Sequence, residues 1–478
     1  MRKMKAVTIV MLVSLFVLLL SACGGGNGGS GGNEGGANTA ANTETANDAA
    51  ANDAANTAAE GENADAGSGD PEYPAIDLGG ATIKIAAWWD MTPKPDNESG
   101  ELLVAKLDEV QKKYNVKIEY LNVPYDQYKE KLITSTTAGQ PFADITYIDS
   151  PWMPGLVKQG LLVPFDELVE DRATLQENDY GAMFDTVGVY DGKQYAWDSP
   201  KAEAGTGVFY NKTLLEKLGM KDLNEYVKEG NWNWDTFAAA AKEATRDSDG
   251  DGKIDTWGMT AYHADFLFSL VASNGGQLYD DKNMKEGFSS PETIQALEFL
   301  QKLYFTDKVA RFNNAGDWGE QRKLFPEGNV LMMPGYIWEI NDMPKNMGEN
   351  KWSFVPFPKA PGAEDYVSGY GSLSMKAVPK GTKYPKEVMQ ILFELNDIHP
   401  STEEEYVGQT WYESVVTDEA ALENLRLAAE KTYIGWHNAI TDYPSWTIAD
   451  EVVKGQPVST TVEKNKAIAQ AKIDETFK

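Results

Sequence analysis

Between residues 81 and 149 the chain switches repeatedly between two hydrophobic periods, and this alternation restricts its fold more than any other feature. The run Ala81-Thr82-Ile83-Lys84-Ile85-Ala86-Ala87 alternates at period two, as a half-buried strand does. Leu103, Leu107, Val110 and Tyr114 then recur at helical spacing, and Val116 to Val123 is a second strand entered through Asn115. A helix is expected from Tyr125 to Thr137, stopped at Gly139, and a third strand from Pro141 to Asp149. Strand, helix, strand, helix, strand in this order predicts an α/β fold with a mostly parallel sheet covered by helices. In such sheets ligands gather beyond the carboxyl ends of the strands. Trp88, Trp89, Asp149, Ser150 and Trp152 all stand at such ends.

At 478 residues the chain exceeds what one ordinary core holds, so two lobes are expected. The stretch from Tyr190 to Lys212 shows how the chain passes between them. Asp191-Gly192 makes a tight turn, because Asp bonds its own backbone locally and Gly tolerates positive φ. Gln194 to Trp197 reads as a short strand halted by Asp198-Ser199-Pro200, and Gly205 to Tyr210 as a second extended run before Asn211-Lys212-Thr213 opens a helix. Lys201 to Gly205 joins those strands with neither hairpin nor helix, which makes it a hinge strand.

That order of turn, strand, proline, Ala202-Glu203-Ala204 and Tyr210-Asn211-Lys212 resembles the first inter-lobe crossing of extracellular solute-binding proteins of ABC importers, the family that includes the maltodextrin-binding proteins. Four further segments are similar in the same order. They are Gly160-Leu161-Leu162-Val163-Pro164-Phe165, the run Phe325 to Trp338 (FPEGNVLMMPGYIW), Trp352 to Pro358 as a return crossing, and the helix from Pro385 to Leu395. The resemblance covers about residues 80–460. It implies a two-lobed periplasmic-binding-protein-like fold of type II, the lobes rotating about crossings near Lys201–Gly205 and Phe354–Pro358. The expected organisation is lobe 1 over 78–200, lobe 2 over 201–357, a return to lobe 1 over 358–400, and a helical tail over 401–478 mainly on lobe 2.

The N-terminus predicts where such a protein works. Arg2, Lys3 and Lys5 precede an apolar run from Ala6 to Leu20, of signal-peptide length and short for a membrane span. Leu20-Ser21-Ala22-Cys23 matches a bacterial lipobox, so residues 1–22 are expected to be removed and Cys23 lipidated, palmitate included. Residues 23–77 follow as a tether. From Gly24 to Asp70 they are mostly Gly, Asn, Ala, Thr, Glu and Asp with almost no large apolar side chain, too little to offset the entropy of ordering. Such a coil spans roughly 35–40 Å. Cys23 is the single cysteine, so a disulfide within the chain is excluded. The net charge of −30 argues against nucleic acid and against a basic membrane patch.

The sharpest local motif is Asp247-Ser-Asp249-Gly-Asp251-Gly252-Lys253-Ile254-Asp255. Asp247, Asp249 and Asp251 stand at positions 1, 3 and 5 of a calcium loop, with the Lys253 carbonyl at 7 and Asp255 at 9. Position 12 is Gly258 where the bidentate Glu belongs, so a structural Ca²⁺ site here and a metal-free Asp/Gly turn are both open. The aromatics, 13 Trp and 22 Tyr, form the second group. Pyranose rings offer C–H faces to aromatic rings and hydroxyls to carboxylates. By family position Trp88 or Trp89, Trp338 and Trp436 are the implied stacking platforms, with Tyr210, Trp318 and Tyr336 behind them. Glu203 falls where the related hinge carries a sugar-contacting Glu. Trp234, Trp257, Trp352 and Trp446 are assigned to core or surface.

Signals of catalysis are thin. His263, His399 and His437 form no HExxH, and G-x-S-x-G, P-loop and Rossmann fingerprints are absent from the sequence. No catalytic cofactor is expected. The reading is therefore a monomeric, lipid-anchored binding protein on the outer face of the cell membrane that captures a carbohydrate, an oligosaccharide by preference, and passes it to the membrane subunits of an ABC permease. A secreted glycoside hydrolase or lyase is the alternative. Peptides, polyamines and metal complexes stay open as ligands.

Overall fold

The structure is a computed structural model and describes residues 74–95, 98–169, 188–197, 205–311, 317–396, 412 and 415–477. The signal segment, Cys23, the tether to residue 73, Glu203 and His399 lie outside the described residues. Fourteen strands are described, in chain order β1 (Ala81–Ala87), β2 (Val116–Asn122), β3 (Ile145–Asp149), β4 (Val189–Tyr190), β5 (Lys193–Gln194), β6 (Thr206–Asn211) and β7 (Trp257–Met259). Then come β8 (Tyr279–Asp280), β9 (Lys285–Glu286), β10 (Val330–Tyr336), β11 (Trp352–Pro356), β12 (Ser368–Tyr370), β13 (Ser374–Ala377) and β14 (Thr432–Ile434).

Eight of them build two separate four-stranded sheets, and the other six form three two-stranded ones. The first has the order β13-β3-β1-β2, with β1 parallel to both β2 and β3 and β13 antiparallel to β3. The expected helices connect its parallel strands, Glu98–Tyr114 before β2 and Tyr125–Thr137 before β3. Because side chains alternate along a strand, the sheet buries two faces. Ile83, Ile85, Ile118 and Ile145 pack under helices Glu98–Tyr114 and Pro385–Asn396, and Ala86, Ile148 and Met375 pack under Tyr128, Leu132 and Leu156.

The second sheet runs β11-β6-β10-β7, and its β6 is buried throughout. Val208, Tyr210, Leu331 and Val355 face a core shared with helices Trp234–Ala244 and His263–Ser273; Phe209, Val330, Met333 and Phe354 face Leu425 and Ala428 of helix Glu419–Ala429. Helix Trp234–Ala244 is capped by Asn233, with a full capping box between Asn233 and Thr236, an arrangement worth about 1 kcal/mol. Asp191 and Gly192 both take positive φ, 49° and 73°, in the β4–β5 hairpin.

The second crossing does not lie where the sequence places it. β10 runs to Tyr336, pairing Gly335 with Gly207 and Tyr336 with Thr206. β11 is likewise committed to the second sheet, with Val355 paired to Val208 and Pro356 to Gly207, and Lys359 bridges to Asn233. Residues 354–358 are thus held inside the second lobe, and the return to the first sheet comes later, through β12 and on to β13. The reason is pairing: a strand hydrogen-bonded over its whole length to β6 cannot serve as a hinge.

At the actual crossing Ser368 Oγ accepts from the backbone N–H groups of Gly205 (2.7 Å) and Thr206 (2.8 Å) and donates to the Thr206 carbonyl (2.8 Å). The Gly369 N–H donates to Thr206 Oγ1 at 3.0 Å, and β14 lies parallel to β12 alongside. A Cβ on Gly205 would stand 2.2 Å from the Gly369 carbonyl oxygen, so the two crossing strands meet here because Gly205 carries no side chain. The tail follows the second lobe: helix Ser445–Val453 packs on helix His263–Ser273 and helix Val458–Phe477 on Ser445–Val453. Among the described residues no helix is long and apolar enough to cross a membrane.

Candidate functional site

The first rim sits at the carboxyl ends of β1 and β3. Trp88, half-buried, meets Tyr125 at 5.4 Å and Tyr128 at 5.5 Å edge-on, and Trp152 at 5.4 Å. Trp89 is 38% exposed and leans edge-on against Tyr147 at 4.7 Å. Edge-to-face packing of this kind satisfies the ring quadrupoles and holds an exposed indole in place. Beneath them Asp149 is buried and accepts from the Tyr125 hydroxyl at 2.7 Å. Burial lifts the Asp149 carboxyl to about 6, against hydrogen bonds from Tyr125 and Ser372 that pull it down. Ser150 is spent on the fold: its N–H donates to the Leu373 carbonyl (2.8 Å) and its hydroxyl accepts from the Leu373 N–H (2.9 Å), tying β3 to the segment entering β13.

The second rim belongs to β10 and the turns around it. Tyr336 closes the strand, half-buried, and stacks on Trp338 at 6.3 Å with the rings 16° apart. Trp338 in turn lies 5.6 Å from Trp318. Trp318 and Trp338 remain 43% and 37% exposed. The Trp318 indole N–H donates to Asp265 Oδ2 at 3.0 Å, and Tyr336 bonds the same carboxyl. Burial raises Asp265 to about 6, with both hydrogen bonds opposing. The Arg322 guanidinium lies over both indoles, 4.4 Å from the Trp318 ring centre and 5.1 Å from that of Trp338.

The two rims approach each other next to the hinge. A Cβ on Gly371 would stand 2.4 Å from the Tyr336 hydroxyl, and Asp149 of the first lobe acts on Tyr336 of the second, its charge helping to push that phenol well above its ordinary range after burial, the leading cause. Trp436 flanks this point, half-buried against the first-lobe cluster that holds Trp88, and Asn438 donates to the Gly371 carbonyl at 2.8 Å. A hydroxyl-rich ligand placed here would find aromatic faces on both sides and carboxylates at Asp149 and Asp265.

The structure therefore brings Trp88, Asp149, Tyr336 and Trp436 to one place, with Trp89 extending the first rim and Trp318 and Trp338 the second. Tyr210 is a correction. It is fully buried in the second-lobe core and its hydroxyl donates to Asp222 at 2.6 Å, because in β6 it points to the face covered by helices. Trp234 is core, stacked on Phe299, and Trp446 is half-buried, stacked on the buried His263. Tyr125, Asp265 and Arg322 are additions. Tyr125 follows β2 directly and Asp265 opens the helix after β7, so the strand-end rule could have found both; Arg322 carried no signal of its own.

The acidic loop is only partly a cage. Carboxylate oxygens of Asp247, Asp249 and Asp255 lie within 4.8 Å of one another, all exposed. Asp251 is turned away, accepting from the Lys253 N–H at 2.8 Å and pairing with Lys253 Nζ at 3.2 Å. Gly258 at position 12 has a packing reason: a Cβ there would stand 2.2 Å from the Ala241 carbonyl oxygen, so no ligating side chain fits.

Residues 94–392 match the family model described as bacterial extracellular solute-binding protein. A maltotriose-binding protein of Pyrococcus abyssi is 24% identical over 304 residues, 63% of this chain and 59% of the relative. An arabinooligosaccharide-binding protein of Halalkalibacterium halodurans is 24% identical over 251 residues, 51% of this chain and 52% of the relative. The chain spans no more than 63% of the length of the curated relatives it matches. In fold it is similar to the cyclic alpha-maltosyl-1,6-maltose binding protein from Arthrobacter globiformis, with a TM-score of 0.62 at 19% identity, over 83% of this chain and all of that one. With two sheets in two lobes and a family match over more than half the chain, this protein belongs to the bacterial extracellular solute-binding proteins.

Proposed function

We propose that the protein captures a carbohydrate, an oligosaccharide, between its two lobes and delivers it to an ABC permease without chemical change. The observation that carries this reading is the convergence of Trp88, Asp149, Tyr336 and Trp436 beside the hinge, with the exposed Trp318–Trp338 pair extending the same rim. Aromatic faces take the C–H patches of a pyranose and the carboxylates take its hydroxyls. Ligand that touches both rims favours the closed arrangement by its differential affinity, and closure excludes water from the carboxylate hydrogen bonds. The relatives named for maltotriose and arabinooligosaccharide support the ligand class.

Titration calorimetry with maltotriose and arabinotriose tests it. One of them should bind in the micromolar range or tighter, unmodified afterwards by chromatography, and Trp338→Ala should weaken it at least about ten-fold. Sugar consumption with turnover, or no binding of either glycan, would refute the reading. Glu203 is proposed as a further contact from the hinge. Lipidation at Cys23, placing the protein on the outer face of the cell membrane, belongs to the same proposal and rests on the lipobox. The loop of Asp247, Asp249 and Asp255 is proposed to hold a structural Ca²⁺, completed by backbone carbonyls and water, since three hard oxygen donors already converge.

A further inference from the structure

The exposed indole pair has a support that the proposed sugar contacts do not require. Trp318 stands in a surface turn and Trp338 in a short 3₁₀ segment, so neither is held by a strand. Asp265 holds the Trp318 N–H and Tyr336 stacks on Trp338, but each contact anchors one ring and leaves the spacing of the pair open, which a ligand stacking on both would have to order. Arg322 lies on the short helix Gln321–Leu324 between these two segments, and its guanidinium covers part of each ring, at 4.4 Å and 5.1 Å.

Room is made for it there. A Cβ on Gly319 would stand 3.2 Å from Arg322 Nη2, so the turn that carries Trp318 admits the guanidinium where it has no side chain. On the inner side Arg322 borders a small cleft with Glu339, which is buried and on which Arg322 acts as the charge favouring ionisation. The Arg322 Nε is itself buried without a hydrogen-bond partner, so ring contact takes the place of a polar bond at that edge.

We propose that Arg322 is the positioning residue of the Trp318–Trp338 platform: with its guanidinium over both indoles it presets their spacing, leaving their exposed edges and faces for the ligand. The residue acts through the two tryptophans and does not touch the sugar. Only a planar guanidinium can cover two rings at once; a lysine ammonium is a compact, strongly hydrated charge that sits over one. This inference rests on the proposed sugar-binding site.

The test uses the full chain, wild type and Arg322→Met, Arg322→Lys and Trp318→Ala/Trp338→Ala, with maltotriose and arabinotriose as probes. Arg322→Met is expected to weaken binding about ten-fold and Arg322→Lys to recover little of it, while in the double-alanine background Arg322→Met should change affinity less than about two-fold. An equal loss in both backgrounds means direct contact with the ligand and overturns the proposal, as does wild-type affinity in Arg322→Met. Fluorine NMR of fluorotryptophan-labelled free protein gives a reading that needs no sugar. The Trp318 and Trp338 resonances should shift and broaden in both Arg322 variants while the other indoles stay put. If the wild type binds neither glycan, the ligand class fails and these resonances still decide; unmoved lines overturn the proposal. Should Arg322→Met fail to fold, Arg322→Lys carries both measurements.

Discussion

Among the described residues Glu339 is the carboxyl whose environment departs furthest from solution. It is 2% exposed, and burial raises its carboxyl to about 8, with Asp265 and Asp342 adding to the rise and Arg322 opposing it. In the unfolded chain the same group titrates near 4.5. Between those values the folded state binds the proton and the unfolded state does not, so this group makes stability fall as pH rises and restores it as pH falls. Asp149 and Asp265 act in the same direction but only up to about 6, and His263 and His437, lowered by burial to about 4 and 3, change stability only below the ordinary histidine range. The interval from about 6.5 to 9 therefore isolates Glu339. Glu339→Gln, which cannot ionise, should melt higher than wild type at the alkaline end of that interval, with the difference shrinking toward its acid end. Parallel melting curves across the interval would show that the carboxyl is not so placed.

At the scale of elements the acidic loop joins helix Trp234–Ala244 to β7, and its carboxylates cap its own backbone: Asp247 accepts from Gly250 and Gly252, and Asp255 from Ser248. These bonds shape the loop without metal, but they also bring three like charges within 4.8 Å. A bound cation would offset that repulsion and stabilise the native state by mass action. Millimolar Ca²⁺ should raise the melting midpoint relative to chelator, and Asp249→Asn should abolish most of the rise. An Asp251→Asn variant should respond nearly as wild type, because that carboxylate is paired with Lys253. A midpoint indifferent to Ca²⁺ would leave the loop as a capped turn.

At the scale of the whole molecule the two sheets each have their own core, and the strands between them meet at Gly205, Gly369 and β14. The proposed closure would turn the lobes about this joint while each stays rigid. Closure around a sugar then makes a prediction that a one-sided site does not. Hydrogen exchange with and without maltotriose or arabinotriose should show protection in both rims together, residues 88–95 and 317–339, at one ligand concentration. Protection confined to a single lobe would argue for a surface site.

Much of this was legible along the chain because it depends on neighbours. The period-two run at Ala81–Ala87, the helix at Tyr125–Thr137, the Asp191–Gly192 turn and the Asn233 cap are local decisions made by sterics and backbone hydrogen bonding. The strand-end rule likewise reached Trp88 and Asp149, and the family resemblance reached Tyr336. What the sequence could not reveal is which side of a strand faces a ligand and which strand turns into a hinge. Tyr210 and Tyr336 lie on paired strands of one sheet, yet the first donates into the core and the second ends beside Gly371. Residues 354–358 look like a crossing until their pairing with β6 is known. Local order is set by each residue and its near neighbours; burial, charge environment and the joint between the lobes are set by partners more than a hundred residues away, such as Gly205 and Ser368, and only the folded chain brings those together.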